Sequence, residues 1–214
     1  MSRSMTRILI ADDHEIVRRG LKDILTAAFK PVEIGEARDS RETIQRVNEK
    51  TWDALLLDIN MPGRNGLEVL EEVKHLRPKM PVLVLSAYSE EDYAIRAFRL
   101  GASGYLSKRG ASDELLVALR KAMTGGRYVS TAFAERLAAT LGNDLRQEPH
   151  QTLSNRELQV LRMIAAGRTI KEIAAELSLS EKTVGTYRTR ISEKMRLGTN
   201  VELTRYALQH GLAD

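Results

Sequence analysis

The sequence contains no cysteine, which excludes disulfide bonds and catalysis by a thiol. It also has no apolar run approaching the roughly 20 residues that a membrane-spanning helix needs. Near the N-terminus the short apolar stretch ILIA is interrupted by two aspartates, which is not the pattern of a signal peptide. We therefore expect a protein that does not associate with membranes and works in the reducing cytoplasm.

The first 125 residues alternate between two hydrophobic patterns. Short segments rich in leucine and β-branched residues are typical of strands, and continuous apolar runs among them indicate strands buried on both faces. These segments are TRILIADD, VEIGEA, DALLLDI, PVLVLSAY and SGYLSK. Helical spacing of apolar residues predicts helices at 14–29, 40–49, 66–76, 90–100 and 112–124. The alternation predicts an α/β fold: a five-stranded doubly wound parallel sheet with helices on both faces.

Polar side chains stand where the predicted strands end. They are Asp12, Asp13, Asp58, Ser86 and Lys108. Each has an ordinary structural explanation when taken alone; Asp13, for example, could cap the helix that begins at residue 14. Functional sites of open parallel sheets lie at the carboxyl ends of the strands. Because all five residues fall at such ends, we expect them to form one site.

This set of residues predicts chemistry on phosphate. Three neighbouring carboxylates raise one another's pKa, and a divalent cation relieves their repulsion. Mg²⁺ suits a site with few oxygen ligands, because it keeps several waters and often bridges to phosphate. We predict that Asp58 is a nucleophile towards a phosphoryl group, while the metal, Lys108 and the Ser86 hydroxyl stabilise the phosphoryl oxygens.

Residues 151–214 have a helical pattern and follow a polar segment, residues 126–150, that we interpret as a linker with one helix. The capping boxes SNRE and TIKE predict helices that start after Ser154 and Thr169. The tight turn SLS then leads into a longer helix predicted at 181–196. This arrangement is typical of a small all-α domain with a helix-turn-helix.

The helix at 181–196 is expected to contact DNA. Five of the residues from 182 to 196 are Lys or Arg and one is Glu. Val184, Tyr187, Ile191 and Met195 form the predicted buried stripe, which leaves a polar, largely basic face suited to the major groove. The predicted contacts to phosphates or bases are Thr169, Lys171, Lys182, Thr183, Gly185, Thr186, Arg188, Thr189, Arg190, Lys194 and Arg196.

The motifs ADD, LLLDINMPGRNGLEVL, VLSAY and GASGYLSK resemble the receiver domain of bacterial two-component response regulators. The segment 153–212 resembles the LuxR-type DNA-binding domain. The chain therefore resembles a response regulator of the NarL/FixJ type over nearly its full length. The resemblance implies a receiver domain at 5–125, the linker at 126–150 and a LuxR-type helix-turn-helix domain at 151–214.

The resemblance also implies a role for each strand-end residue. Asp58 would accept phosphate from a sensor histidine kinase, and Lys108 would bind that phosphate. Ser86 and Tyr105 would be the residues that change position on phosphorylation. The implied Mg²⁺ ligands are Asp12, Asp13, Asp58 and the backbone carbonyl of Asn60.

Further implications concern the partners of the protein. It would bind double-stranded promoter DNA as a homodimer, formed on phosphorylation or on DNA, and RNA polymerase is a further partner. In the family the last helix, here predicted at 200–210, pairs two DNA-binding domains, and Val201 on it is apolar.

Three residues depart from common family patterns. Arg109 follows Lys108 where many receivers have proline, so we expect a trans peptide bond there. Tyr88 is bulky, and we expect it to shield an acyl phosphate from water. Gly185 replaces a longer polar side chain, which removes one base contact or lets the backbone approach DNA closely.

Two other functions compete with a phosphorylation-dependent transcription regulator. One is a DNA-binding regulator that acts without phosphorylation, with the receiver serving only for dimerisation. The other, more remote, is an aspartate-nucleophile phosphatase. Such enzymes generally need a second aspartate two residues after the nucleophile, where this chain has Asn60, so we predict a protein that is not an enzyme.

Overall fold

The structure is a computed structural model that describes residues 5–61, 64–86, 90–108, 112–131, 133–135 and 148–213. The chain divides into two compact units, Met1–Asn143 and Asp144–Asp214. Tyr88, Arg109 and most of the predicted linker helix lie outside the described residues.

The first unit is built on a five-stranded parallel sheet in the order β2-β1-β3-β4-β5. The strands are β1 Thr6–Ala11, β2 Val32–Ala37, β3 Ala54–Asp58, β4 Val82–Ser86 and β5 Gly104–Ser107. Every residue of β3 and β4 is buried, because helices cover both faces of the sheet. The predicted fold class is therefore confirmed.

Five helices alternate with these strands. They are α1 Glu15–Ala28, α2 Ser40–Glu49, α3 Gly66–Leu76, α4 Glu90–Arg99 and α5 Ser112–Met123. Helix α1 packs against α5, whereas α3 packs against both α2 and α4, so the helices form two layers. Leu25 and Leu119 join the first layer to sheet residues such as Ile10 and Leu56 in one apolar core.

A glycine lets α3 begin very close to the end of β3. A Cβ atom at Gly66 would lie 2.6 Å from the Cα atom of Ile59, nearer than real Cβ contacts come. The backbone amide of Gly66 also donates a hydrogen bond to the Ile59 carbonyl, at 3.0 Å. The chain after Asp58 is therefore held tightly at the edge of the sheet.

The second unit is helical. It contains a short 3-10 helix, Pro149–Thr152, followed by α6 Asn155–Ala165, α7 Ile170–Glu176, α8 Glu181–Met195 and α9 Asn200–Gln209. Both predicted capping boxes, at Ser154 and Thr169, are present. A third capping box at Thr199 starts α9 and was not predicted. Its signal, the sequence TNVE, has the same spacing as the other two.

The buried stripe of α8 holds this unit together. Val184, Ile191 and Met195 are buried as predicted, while Tyr187 is only partly buried. Helix α8 packs against α6 and α7, and α6 also packs against α9. Among the residues that the structure describes, no helix is long and apolar enough to cross a membrane.

Candidate functional sites

The sheet brings the strand-end residues together. Lys108 follows β5, and its backbone amide donates a hydrogen bond to the Ser86 carbonyl at the end of β4, at 2.7 Å. The Lys108 ammonium lies 2.7 Å from Oδ2 of Asp58 and 2.6 Å from Oδ2 of Asp12. Three neighbouring strands, β1, β3 and β4, and the end of β5 therefore supply one cluster of charged and polar groups.

Hydrogen bonds fix the turn that follows β1. His14, not Asp13, is the N-cap of α1, and among the described residues no side chain makes a capping hydrogen bond to that helix. The alternative that Asp13 merely caps the helix is therefore wrong. Asp12 Oδ1 accepts a hydrogen bond from the His14 amide at 2.9 Å, and the Arg18 guanidinium donates to the Asp12 carbonyl at 2.8 Å. These bonds hold the two aspartates at the sheet edge.

Burial and charge oppose each other at this site. Burial raises the pKa of Asp58 above its usual range, and the Lys108 ammonium opposes the rise, while Asp12 adds to it. Burial alone would lower the pKa of Lys108, but the carboxylates of Asp58 and Asp12 outweigh burial and raise it. When all these groups are ionised, one ammonium faces three carboxylates, so the site carries excess negative charge.

The donor atoms of the cluster fit a hard divalent cation. One ligand atom from each of Asp12, Asp13, His14 and Asp58 lies within 4.8 Å of the others. Asp12 Oδ2 and Asp13 Oδ1 are buried and accept no hydrogen bond of normal geometry among the described residues, although cationic or ring nitrogens approach both. Oxygens in this situation suit Mg²⁺ better than they suit an anion.

His14 is the member of this cluster that sequence reasoning missed. Its Nδ1 lies 2.9 Å from Asp13 Oδ1 and 3.3 Å from Asp12 Oδ1. The signal was available, because His14 directly follows the two aspartates in the sequence. Its side chain is largely exposed, so it borders the cluster on the solvent side.

The remaining predicted receiver residues, Asn60, Ser86 and Tyr105, lie on or directly after strands β3, β4 and β5. The backbone amide of Asn60 donates a hydrogen bond to Asp58 Oδ1 at 3.1 Å, which places the Asn60 backbone beside the carboxylate. Ser86 is fully buried at the end of β4. Tyr105 is also buried, within β5 and two residues before Ser107.

The polar face of α8 is exposed as predicted. Lys182, Thr186, Thr189, Arg190 and Arg196 are exposed, whereas Thr183 and Gly185 are partly covered. Thr169 and Lys171 are exposed at the start of α7. The hydroxyls of Thr186 and Thr189 donate to backbone carbonyls one turn earlier in α8. Those hydroxyl oxygens still have lone pairs that can accept hydrogen bonds.

Two of the predicted DNA contacts have partners inside the unit. The Arg188 guanidinium donates to Asn200 Oδ1 and to the Gly198 carbonyl, both at 3.0 Å. Lys194 lies 2.6 Å from a carboxylate oxygen of the buried Glu157. Burial raises the pKa of Glu157, but Lys194 and Ser154 outweigh burial and lower it. Both cations therefore tie α8 to neighbouring segments.

Each of the two units matches a known protein family. Residues 8–120 match the family model described as the response regulator receiver domain. Residues 151–207 match the model described as bacterial regulatory proteins of the luxR family. The chain belongs to the response regulators. These regulators, with a receiver and a LuxR-type domain, are phosphorylation-dependent DNA-binding transcription regulators.

Individual proteins resemble this response regulator along its whole length. The response regulator UvrY of Escherichia coli K12 is 34% identical over 211 residues, 98% of this chain and 97% of UvrY. The response regulator GacA of Pseudomonas aeruginosa is also 34% identical, covering 98% of this chain and 99% of GacA. A solved structure of RcsB from Salmonella enterica serovar Typhimurium, bound to promoter rprA with the phosphomimetic BeF₃⁻, has a TM-score of 0.64. It is 26% identical and covers 95% of this chain and 98% of RcsB.

Gly185 leads to a stability prediction for this response regulator. A Cβ atom at Gly185 would meet no atom of the described residues within 4 Å, and the residue lies inside α8. Gly185→Ala is therefore expected to stabilise the protein by about 1 kcal/mol, because alanine is the better helix former. Denaturant unfolding of the full chain measures the change.

Gly167 provides the matched control. A Cβ atom there would also have no neighbour within 4 Å in the part of the chain that the structure describes, but φ is +78°, a conformation that alanine rarely adopts. Gly167→Ala is expected to destabilise the protein by about 1–2 kcal/mol. If both variants shift stability in the same direction, this explanation is wrong.

Proposed function

We propose that Asp58 of this response regulator accepts phosphate from a sensor histidine kinase and that phosphorylation controls its binding to promoter DNA. The observation that carries the proposal is the buried Asp58 carboxylate, held 2.7 Å from the Lys108 ammonium with Asp12 alongside. A carboxylate in this position can attack a phosphoryl donor, and the ammonium beside it can neutralise charge on the transferred phosphoryl group. The protein works in the cytoplasm, where such a kinase would supply phosphate.

The residues present fit Mg²⁺, and we propose the following ligands: Asp12, Asp13, Asp58 and the backbone carbonyl of Asn60. Bound there, the ion would neutralise charge on the phosphoryl oxygens. Lys108 would pair with one of those oxygens after leaving its contact with Asp58. The Ser86 hydroxyl would donate a hydrogen bond to another.

The response to phosphate follows from the same contacts. Phosphorylation would convert the Asp58 carboxylate into an acyl phosphate, which removes the carboxylate charge that Lys108 pairs with and adds charged phosphate oxygens nearby. Ser86, at the end of β4, would move towards them, and Tyr105 on the neighbouring β5 would change its packing. Such a change biases a two-state equilibrium in the receiver and thereby in the attached DNA-binding unit.

Promoter binding as a homodimer is supported by the surface of α9. Val201 is 78% exposed and Leu208 is 52% exposed, although both are large apolar residues. They border a surface groove that also involves Ile164 and Thr204. Pairing of two α9 helices would cover these side chains and set two α8 helices on half-sites related by twofold symmetry.

We also propose that the protein processes no separate substrate and catalyses only its own phosphorylation and dephosphorylation. Asn60 stands where a phosphatase of the aspartate-nucleophile type needs an acid, and its amide cannot protonate a leaving group.

Genome-wide DNA occupancy tests this function. Wild type and Asp58→Asn should be compared in cells in which the sensing pathway is active. Occupancy of specific promoters is expected to fall in the variant, whereas Asp23→Asn, which changes an exposed carboxylate on α1, should leave it unchanged. Equal occupancy in all three proteins would favour a regulator that acts without phosphorylation.

The metal ligands lead to a second prediction. Asp12→Asn is expected to weaken Mg²⁺ binding by at least about tenfold, because it removes a charged oxygen ligand. Titration calorimetry on the unphosphorylated chain measures the affinity, with Asp23→Asn as the control. An unchanged affinity in Asp12→Asn would remove Asp12 from the ligand set.

A further inference from the structure

A cleft lies at the amino-terminal edge of the receiver sheet, opposite the edge that holds Asp58. Residues that precede β3, β4 and β5, among them Asp53, Pro81 and Ser103, line it together with the ends of α3 and α5. Strand β3 has five residues, so roughly 16 Å of strand separates the two edges. The cleft has a volume of about 840 Å³, a usual size for a small-molecule site. Neither the phosphate chemistry at Asp58 nor the predicted DNA contacts use it.

Cationic side chains dominate this cleft. They are Lys74, Arg77, Lys79 and Arg127. Among the described residues that line the cleft, the one carboxylate is Asp53. Its Oδ2 accepts a hydrogen bond from the Arg7 backbone amide at 2.7 Å, which fixes it locally. The cleft therefore carries an excess of positive charge.

Three of these cations lack a partner in the part of the chain that the structure describes. The side chains of Arg77, Lys79 and Arg127 make no hydrogen bond and no ion pair there. Nε of Arg77 is buried, although it donates to no acceptor. A buried donor without an acceptor is costly, and a guanidinium cannot reduce that cost by losing its proton. An anion that enters the cleft would supply the acceptor.

The fourth cation, Lys74, shows that the charges are close to one another. A Cβ atom on Gly101 would lie 3.2 Å from Cε of Lys74, so the glycine leaves room for the lysine side chain. The Lys74 ammonium donates to the Met80 carbonyl at 2.9 Å. Burial lowers the pKa of Lys74, and the Arg127 guanidinium lowers it further. An anion bound beside both cations would relieve this repulsion.

Helix dipoles explain only part of this cluster. Cations stabilise the C-terminal end of a helix, and Lys74 lies in the last turn of α3. Arg77 and Lys79 follow α3, and Arg127 follows α5. Within the described residues, none of these three side chains bonds a helix carbonyl. Their convergence therefore needs another explanation.

We propose that this cleft binds a small molecule that carries a phosphate group, whose oxygens Arg77, Lys79 and Arg127 contact. A planar guanidinium can bond two phosphate oxygens at once. A phosphate monoester carries about −1.5 to −2 charges at neutral pH, so it offsets more of the positive charge than one carboxylate does. Pro78 and Met80 provide apolar surface for the organic part of the ligand. A concave site of this size suits a small ligand better than a DNA duplex.

Tryptophan fluorescence tests the proposal on the full chain. Trp52 is the only tryptophan of the sequence, and it lines the cleft. ADP and pyrophosphate are the probes, each titrated without Mg²⁺, because the uncompensated aspartates at the other edge then repel anions. Each should give a saturable fluorescence change, and calorimetry should give the same dissociation constant, about 1 mM or tighter. Tighter binding of ADP than of pyrophosphate would show that the organic part contributes. Adenosine, which lacks phosphate, should give neither signal.

Variants locate the binding site. Arg77→Ala and Arg127→Ala should each weaken binding of both probes by at least about tenfold, and urea unfolding checks that they fold. Arg41→Ala removes an exposed arginine on α2, outside the cleft, and should bind as wild type does. The proposal is wrong if neither probe binds wild type, if both bind Arg77→Ala and Arg127→Ala as tightly as wild type, or if adenosine binds as tightly as ADP. It is also wrong if Arg190→Ala removes the binding, because the probes would then bind to α8.

Discussion

Asp58→Asn is expected to abolish phosphorylation of the purified chain by acetyl phosphate and Mg²⁺. The amide that replaces the carboxylate is not a nucleophile, and the neighbouring aspartates cannot take over. Asp12 and Asp13 follow β1, and the His14 backbone amide fixes Asp12 there, so neither carboxylate can occupy the position of Asp58 at the end of β3. Intact-protein mass spectrometry measures the phosphorylated fraction. Asp23→Asn should be phosphorylated as fully as wild type.

The same variant should remain folded and even gain stability. Burial raises the pKa of Asp58 above its ordinary value of 3.8, so the folded protein holds this proton more tightly than the unfolded chain does. Ionisation of Asp58 therefore costs stability as the pH rises from that value through the folded-state pKa. Without Mg²⁺ at neutral pH, urea unfolding should show Asp58→Asn to be more stable than wild type.

These two measurements separate chemistry from folding. A stable variant that still accepts phosphate would show that another residue is the phosphoacceptor. If Asp58→Asn is less stable than wild type, the pKa argument is wrong. The contact with Lys108 would then stabilise the folded protein by more than burial of the carboxylate destabilises it.

Arg190→Ala is expected to weaken DNA binding about 100-fold at low salt. Arg190 is exposed on α8, and within the part of the chain that the structure describes it has no hydrogen bond or ion pair. If it binds a phosphate, loss of one contact removes about 1.5 kcal/mol, roughly tenfold in affinity. A dimer loses two such contacts. The dependence of log affinity on log salt should also become shallower by about 1.8.

Arg188 and Lys194 provide the comparison within the same helix. Arg188 bonds Asn200 and Gly198, and Lys194 bonds the buried Glu157. Arg188→Ala and Lys194→Ala should therefore change the salt dependence less than Arg190→Ala does. Lys194→Ala should instead destabilise the protein by about 1–3 kcal/mol, since it leaves a buried carboxylate without its cation. Equal salt effects for all three variants would mean that their intramolecular contacts open on DNA.

Periodicity and capping explain why the fold was predictable. The leucine run of β3 and the helical spacing after Ser154 each favour one local structure, and the strand–helix alternation leaves few topologies. The predicted starts of α2 and α3 agree with the structure, in which Asp39 and Asn65 accept hydrogen bonds from the first turns of those helices. Those signals lie within a few residues of the ends that they specify.

The strand-end cluster was also predictable, since parallel strands bring their carboxyl ends to one edge regardless of side-chain detail. The roles of Asp58, Lys108 and the metal ligands remain predictions. His14 was missed because only the turn after β1 directs its ring towards Asp12 and Asp13. The partners of Arg188 and Lys194 were missed for a related reason: a long cation on a helix surface has many rotamers, and sequence does not select one.

By itself, the sequence determined the two folding units, the starts of most helices and the residues that meet at the edge of the sheet. These depend on hydrophobic period and short-range hydrogen bonds, which are properties of neighbouring residues. Only the tertiary structure showed that Arg188 and Lys194 of α8 have intramolecular partners, whereas Arg190 has none among the described residues. It alone brought Arg127 close to Lys74, because contacts between residues so far apart in sequence depend on how complete helices pack.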